Sequence, residues 1–248
     1  MEENLCGEWY KDWFDTSYYH LLYKDRDFAE AERFLDHLIQ ELKPNSNSKL
    51  LDVACGKGRH SIYLNHLGYE VTGFDLSNES ISYARKFEGK SLHFFQHDMR
   101  LPFRINYFDW AFNLFTSMGY FPRPLDNLKV IQSMAAAIKP GGGIVIDFLN
   151  AEFVLRNLVK YSEKRVEGLT FSLKKEILNN EVIKTISFID NGKPFEFQER
   201  VTLLTVEDFK SMFRQSGLNL EGVFGDYNLS DFDSAISERL ILIGRKGI

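Results

Sequence analysis

The chain has 248 residues, 44% hydrophobic and 26% charged, with 22 Phe and 11 Tyr, which describes a soluble globular protein with one substantial core rather than a disordered chain. Its 30 basic and 35 acidic side chains give a formal charge of −5 with no dense Lys/Arg block, and this argues against a nucleic-acid partner. No apolar run approaches the roughly 18 residues of a membrane span, "MEENLCGEWYKDW" lacks the marks of a secretory signal, and Cys6 and Cys55 are too few for a disulfide framework or structural zinc site, so two free thiols in the cytoplasm are expected.

Apolar residues at Phe28, Ala31, Leu35, Leu38, Ile39 and Leu42 recur with a helical period, and "KPNSNS" ends that helix. "KLLDVAC" follows as a buried strand. After the glycines, Ile62, Leu64 and Leu67 predict a helix that Gly68 stops. "YEVTGFD" is a second strand, and Ser77 is the N-cap of the next helix. "SLHFFQHD" and "FDWAFNLF" supply a third and a fourth strand, a helix runs from about Leu125 to Ile138, and "GGGIVIDFLN" gives a fifth strand. Strands alternating with helices imply right-handed crossovers and a doubly wound α/β sheet.

The pattern changes after Asn150. The helical stretch "AEFVLRNLVKY" gives way to three β-rich runs, "LTFSLKKEIL", "VIKTISFID" and "FEFQERVTLL", separated by Asn179-Asn180 and Asn191-Gly192. Such pairs suit tight hairpins, whose two central residues both need positive φ. The expected organisation is an α/β core over residues 1–150, an inserted antiparallel meander over 151–204, and a last helix and antiparallel strand pair over 205–248. Thr205 caps that helix and Gly217 ends it.

In an open parallel sheet, ligands bind outside the carboxyl ends of the strands, so the first glycine turn, "LDVACGKGRHS", is the place to look. A P-loop needs Gly-Lys-Ser/Thr, whereas Gly56-Lys57 is followed by Gly58 and Arg59. A dinucleotide fingerprint needs G-x-G-x-x-G/A, which Ser61 meets only roughly. The turn also resembles motif I of the class I S-adenosylmethionine-dependent methyltransferases, with Asp52 as its acidic residue, Gly56 and Gly58 as its last two glycines, and Ala54 in place of the first.

Further residues carry the same resemblance in order over roughly residues 49–150. It implies that Asp75 accepts from the ribose hydroxyls beside Leu76, that Asp98 takes the adenine amino group, and that Met99 packs on the ring. "FDWAFNLFTSMGYF" resembles motif IV, which brings Asn113 and Phe115 to the cofactor. "WFDTSYYHLLYKDRD" is similar to the N-terminal segment that closes over the cofactor in small-molecule methyltransferases, including sugar-amine N-methyltransferases. By that similarity Tyr18 covers the cofactor and Arg26 pairs with its carboxylate, while the meander lids the acceptor site.

Methyl transfer from a sulfonium is an in-line displacement with an activated leaving group, so alignment and exclusion of water can carry much of the rate. No catalytic base is assigned. Tyr120, Asn150 and Arg200 are the candidate substrate contacts, by position. His93 and His97 share one side of a strand without a third ligand, so no metal is expected. Cys55 and His60 are given packing or capping roles. The expected activity is methylation of a small-molecule acceptor with S-adenosyl-L-methionine, the alternatives being a non-catalytic cofactor-binding module, a protein methyltransferase, or an NAD-linked oxidoreductase. "NLFTSMGY" stands where nucleobase-amine methyltransferases carry Asn/Asp-Pro-Pro-Tyr/Phe, so a nucleobase target lacks support.

Overall fold

The computed structural model describes residues 9–24, 28–121 and 123–248. Strands β1 (Lys49–Val53), β2 (Glu70–Asp75), β3 (Leu92–Gln96), β4 (Phe108–Asn113) and β5 (Ile138–Leu149) are parallel, in the order β3-β2-β1-β4-β5. Strand β11 (Arg239–Lys246) adds antiparallel to β5, and β10 (Leu218–Phe224) closes that edge. The chain order reverses between β1 and β4, which is where such a sheet opens a crevice.

The central strands are apolar along their length because helices cover both faces. One face packs on α3 (Phe28–Leu42), α4 (Arg59–His66) and α5 (Asn78–Ala84) through Phe34, Leu35, Leu38, Leu64 and Ile81. The other packs on α6 (Pro124–Ala137) and α8 (Val206–Gln215) through Val130, Ile131, Met134, Phe209 and Phe213. Ser77 and Thr205 cap α5 and α8 as predicted, Thr205 in a capping box with Asp208. Among the described residues, no helix is long and apolar enough to cross a membrane.

Helix α7 (Ala151–Asn157) leads into a second, antiparallel sheet of β6 (Tyr161–Val166), β7 (Leu169–Leu178), β8 (Glu181–Asp190) and β9 (Lys193–Thr202). The sequence predicted three strands here; the fourth, β6, comes from "YSEKRV", which lacks the apolar alternation of a half-buried strand because it is an exposed edge. Its turn, Glu167-Gly168, has positive φ at both residues, as do Asn179-Asn180 and Asn191-Gly192. Two short helices, α1 (Trp9–Phe14) and α2 (Ser17–Leu22), lie on this sheet. Trp13 and Leu22 join Val166, Phe171, Ile186 and Phe188 in a third hydrophobic core, separate from those flanking the large sheet.

Candidate active site

A cavity of about 690 Å³ lies across the carboxyl ends of β3, β2, β1 and β4, roofed by α1 and α2, a volume ordinary for a small-molecule site. The turn after β1 forms its floor. Ala54 and Gly56 both line the cavity with left-handed backbone, φ 59 and 55. Gly58, φ 84, caps α4, and an added Cβ would stand 2.7 Å from Phe94 Cζ, so the position excludes any side chain. Ala54 is the strained member of the turn, because a Cβ disfavours the left-handed region by about 1 kcal/mol. Ala54→Gly is expected to raise stability by about that amount in urea denaturation; an unchanged midpoint would show that the alanine costs nothing there.

Asp75, at the end of β2, accepts from the amide of Gly56 at 2.9 Å with one carboxylate oxygen and from that of Ser77 at 2.8 Å with the other. Burial pushes its pKa up, the two amides partly offsetting that, and the nearby Asp15 adds to the rise. Asp15, between α1 and α2, accepts from the Ser77 hydroxyl and so ties the roof to the end of β2. After β3, Asp98 and Met99 line the cavity, and Asp98 is clamped by Arg100, whose Nη2 donates to Oδ2 at 2.6 Å.

After β4 the chain enters a left-handed pair, Phe115 (φ 68) and Thr116 (φ 61), both in the cavity wall. Asp147, fully buried on β5, holds this pair: its Oδ2 accepts from the Phe115 amide at 2.9 Å and its main-chain oxygen from the Thr116 amide at 3.3 Å. Arg239 on β11 donates to Asp147 Oδ1 through Nε at 2.8 Å and Nη2 at 2.6 Å, and reaches Thr116 Oγ1 at 3.0 Å. Burial and the adjacent carboxylate push the Tyr227 phenol well up, so it remains a donor to Asp147.

Of the residues singled out from sequence, Ala54, Gly56, Asp75, Leu76, Asp98, Met99, Phe115 and Tyr120 converge on this cavity. Others lie elsewhere. Asp52 is buried beneath the turn, accepting from Ser61 Oγ at 2.5 Å, and Gly58 packs on Phe94. Asn113, wholly buried, donates to the Val53 carbonyl at 3.0 Å and so binds β4 to β1 rather than facing a ligand. Tyr18 faces away: its hydroxyl donates to Asp190 at 2.8 Å and its ring packs on Phe188 and Phe195. Helical spacing explains this: Tyr18 and Leu22 share a face of α2 that does not reach the cavity, whereas Tyr19 and Tyr23, one residue on, line the cavity while also packing against the small-sheet core.

Asn150 caps α7 and donates to the Ser234 and Ser237 carbonyls at 2.9 and 2.7 Å, so its position after β5 serves chain closure. Arg200 lies on a second cavity of about 810 Å³, where it meets Glu181 at 3.5 Å. Arg26 lies outside the described residues. Cys55 lines the main cavity with its thiol pushed up by burial, and among the described residues no group of three or more His, Cys, Asp or Glu could hold a metal ion.

The sequence reading missed part of the aromatic roof, Tyr10, Phe14 and Tyr23, together with Arg59 and His60 in the floor. Tyr120 bridges roof and wall, donating to the Thr116 carbonyl at 2.5 Å and packing at 5.5 Å on Phe14 and 5.2 Å on Trp9.

A family model described as a methyltransferase domain matches residues 50–142. YqeM of Bacillus subtilis (strain 168), a methyltransferase by name, is 31% identical over 212 residues, covering 80% of this chain and 84% of that protein. The dTDP-3-amino-3,4,6-trideoxy-alpha-D-glucopyranose N,N-dimethyltransferase of Streptomyces venezuelae is 27% identical over 84% of this chain and 91% of its own. The crystal structure of an S-adenosylmethionine-dependent methyltransferase from Clostridium acetobutylicum ATCC 824 superposes with TM-score 0.78 at 20% identity, covering 93% of this chain and 96% of that one, which shows the shared fold. With its glycine turn, its acids at successive strand ends and these relatives, the chain belongs to the class I S-adenosylmethionine-dependent methyltransferases.

Proposed function

We propose that this methyltransferase acts on a small molecule, an amine carried on a sugar-like scaffold, and that the acceptor sits under the aromatic roof of the main cavity. The observation that carries this reading is the enclosure of the strand ends by Phe14, Tyr19 and Tyr120. A pocket closed by side chains suits a small acceptor, and the faces of those rings favour the positive charge that grows on a nitrogen as it is methylated. The Streptomyces venezuelae relative, an amino-sugar N,N-dimethyltransferase by name, supports the amine class.

The described residues suit the donor. Asp75 offers carboxylate oxygens at the end of β2 where a vicinal diol can meet them, Met99 lies beside Asp98 at the end of β3, and the Ala54–Gly56 backbone leaves room at the end of β1. When bound, S-adenosylmethionine supplies a sulfonium methyl: the acceptor's lone pair forms the new bond to carbon while sulfur keeps the electrons of the old one. The protein's share is positioning and exclusion of water. The Phe115–Thr116 pair, fixed by Asp147, and the ring of Tyr120 are the held parts of the wall against which an acceptor would be positioned.

Asp75→Ala is expected to weaken S-adenosylhomocysteine binding by about 1–3 kcal/mol in calorimetry, and an unchanged affinity removes Asp75 from the site. The acceptor class is tested by single-turnover transfer to a panel of amino sugars, free and nucleotide-linked, with products read by mass spectrometry. Methyl transfer to protein substrates with none to the panel would refute the small-molecule reading.

A further inference from the structure

The second cavity, of about 810 Å³, lies between α6, α8, the turn from β7 to β8 and the end of β9. Tyr120 and Phe121 line both it and the main cavity, so the two spaces share a wall of side chains. Trp9 stands at that wall, its ring edge-on to Tyr120 at 5.2 Å.

The lining offers neutral donors and acceptors, the carboxamides of Asn127, Asn179 and Gln215 and the hydroxyl of Ser211, beside the rings of Trp9 and Tyr120. Amides and hydroxyls match the hydroxyl groups of a saccharide, and rings match its C–H faces. Among the described lining residues Arg200 is the one cation, against the carboxylates of Glu181 and Asp208. Arg200 Nη1 is 3.5 Å from Glu181, and Asp208 is held in the capping box of α8. That balance of charge disfavours a phosphate-rich group.

Asn127 adds an independent sign of a ligand. It is 1% exposed, and its Oδ1 accepts from the Gly119 amide at 3.0 Å, while Nδ2 has no acceptor among the described residues. A buried N–H left unpaired is destabilising. An oxygen brought in through the cavity that Asn127 lines would satisfy it.

We propose that the second cavity takes the part of the acceptor that does not react, an uncharged saccharide ring joined to the amine-bearing one. This assignment rests on the reading of the acceptor as an amine on a sugar-like scaffold. With the amine-bearing ring under the aromatic roof, the linked ring lies on the far side of Tyr120, beside Arg200 and Asn127. Contacts there, remote from the reacting nitrogen, help to hold it in line with the methyl group.

The test is steady-state kinetics with three acceptors: a free amino hexose, a disaccharide joining it to a neutral hexose, and its nucleoside-diphosphate form. The parent is expected to show a KM about 10-fold lower for the disaccharide than for the free sugar, the gain from one or two hydrogen bonds, and no such gain for the nucleotide-linked form. Ser211→Tyr, which fills the cavity from α8, should abolish the disaccharide's advantage. KM for the free sugar and the affinity for S-adenosylhomocysteine should stay unchanged, which also certifies that the variant is folded. Gln215→Leu, one turn further along an exposed stretch of α8, should remove part of the advantage. Equal KM for free sugar and disaccharide in the parent, an advantage that survives both substitutions, equal weakening of both sugars by both variants, or a preference for the nucleotide-linked form overturns the assignment. If the parent methylates none of the three, the acceptor reading fails first, and this inference with it.

Discussion

Replacing Asp147 with alanine is expected to cost about 3–5 kcal/mol of folding stability and to weaken S-adenosylhomocysteine binding as well. The carboxylate is fully buried and takes two donors from Arg239, one from Tyr227 and one from the Phe115 amide. Its removal leaves the guanidinium without its partner inside the fold, and an uncompensated buried charge is worse than no pair at all. It also frees the amide of Phe115, a residue held at positive φ in the cavity wall. Urea denaturation measures the first effect and calorimetry the second. The double variant Asp147→Leu/Arg239→Met separates them: apolar side chains of similar volume should restore most of the stability, but the Phe115 amide still lacks its acceptor, so binding stays weak. A single variant as stable as its parent would show that the pair does not hold β5 and β11 to the loop.

Stability is also expected to fall as pH rises from about 4 to above 7, through Asp52. Burial pushes its carboxyl from the ordinary 3.8 up to about 7, against the pull of the Ser61 hydroxyl and with the help of Asp75. Between those values the folded state keeps a proton that the unfolded chain releases. The contribution is therefore complete below about 4 and is lost as pH passes through 7, a change on the order of 4 kcal/mol. Asp52→Asn keeps a neutral acceptor for Ser61 and has nothing to titrate. Thermal unfolding of both proteins should show a gap in favour of the variant that widens toward alkaline pH. Asp126 and Asp226, whose pKa values are lowered, act in the opposite direction in both proteins and cancel in that difference. Parallel curves for variant and parent would mean that Asp52 is ionised in the fold throughout.

The α/β core was legible because each of its signals is local. The period of the α3 stretch matches the helix at both ends, and Ser77 and Thr205 cap where their side chains can reach the next turn. The strand-end residues Asp75, Asp98 and Met99 met in space for a similar reason: in a parallel sheet, the ends of successive strands share one edge. The errors fall where position along the chain does not fix direction. Asn113 and Asn150 follow apolar strands as ligand contacts often do, yet one faces inward to β1 and the other caps a helix. Tyr18 and Tyr19 cannot be told apart until α2 has a surface to lie on. Arg59 was in plain view in the quoted turn, but its place over the ring of Phe115 could not be read there, because the left-handed backbone of Phe115 is held by a carboxylate 32 residues further on.

The third hydrophobic core has a consequence for how such a protein can change. Glu199 on β9 accepts from Trp13 Nε1 at 2.8 Å and from the Tyr23 hydroxyl at 2.7 Å, and Lys184 on β8 completes the cluster. The segment that roofs the main cavity is thus keyed to a sheet more than 150 residues away in sequence, while the cavity floor is made from the stretch between them. Substitutions in α1 and α2 should therefore co-vary with those in the small sheet and drift independently of the glycine turn. A graft intended to give a relative this roof would have to carry both pieces together.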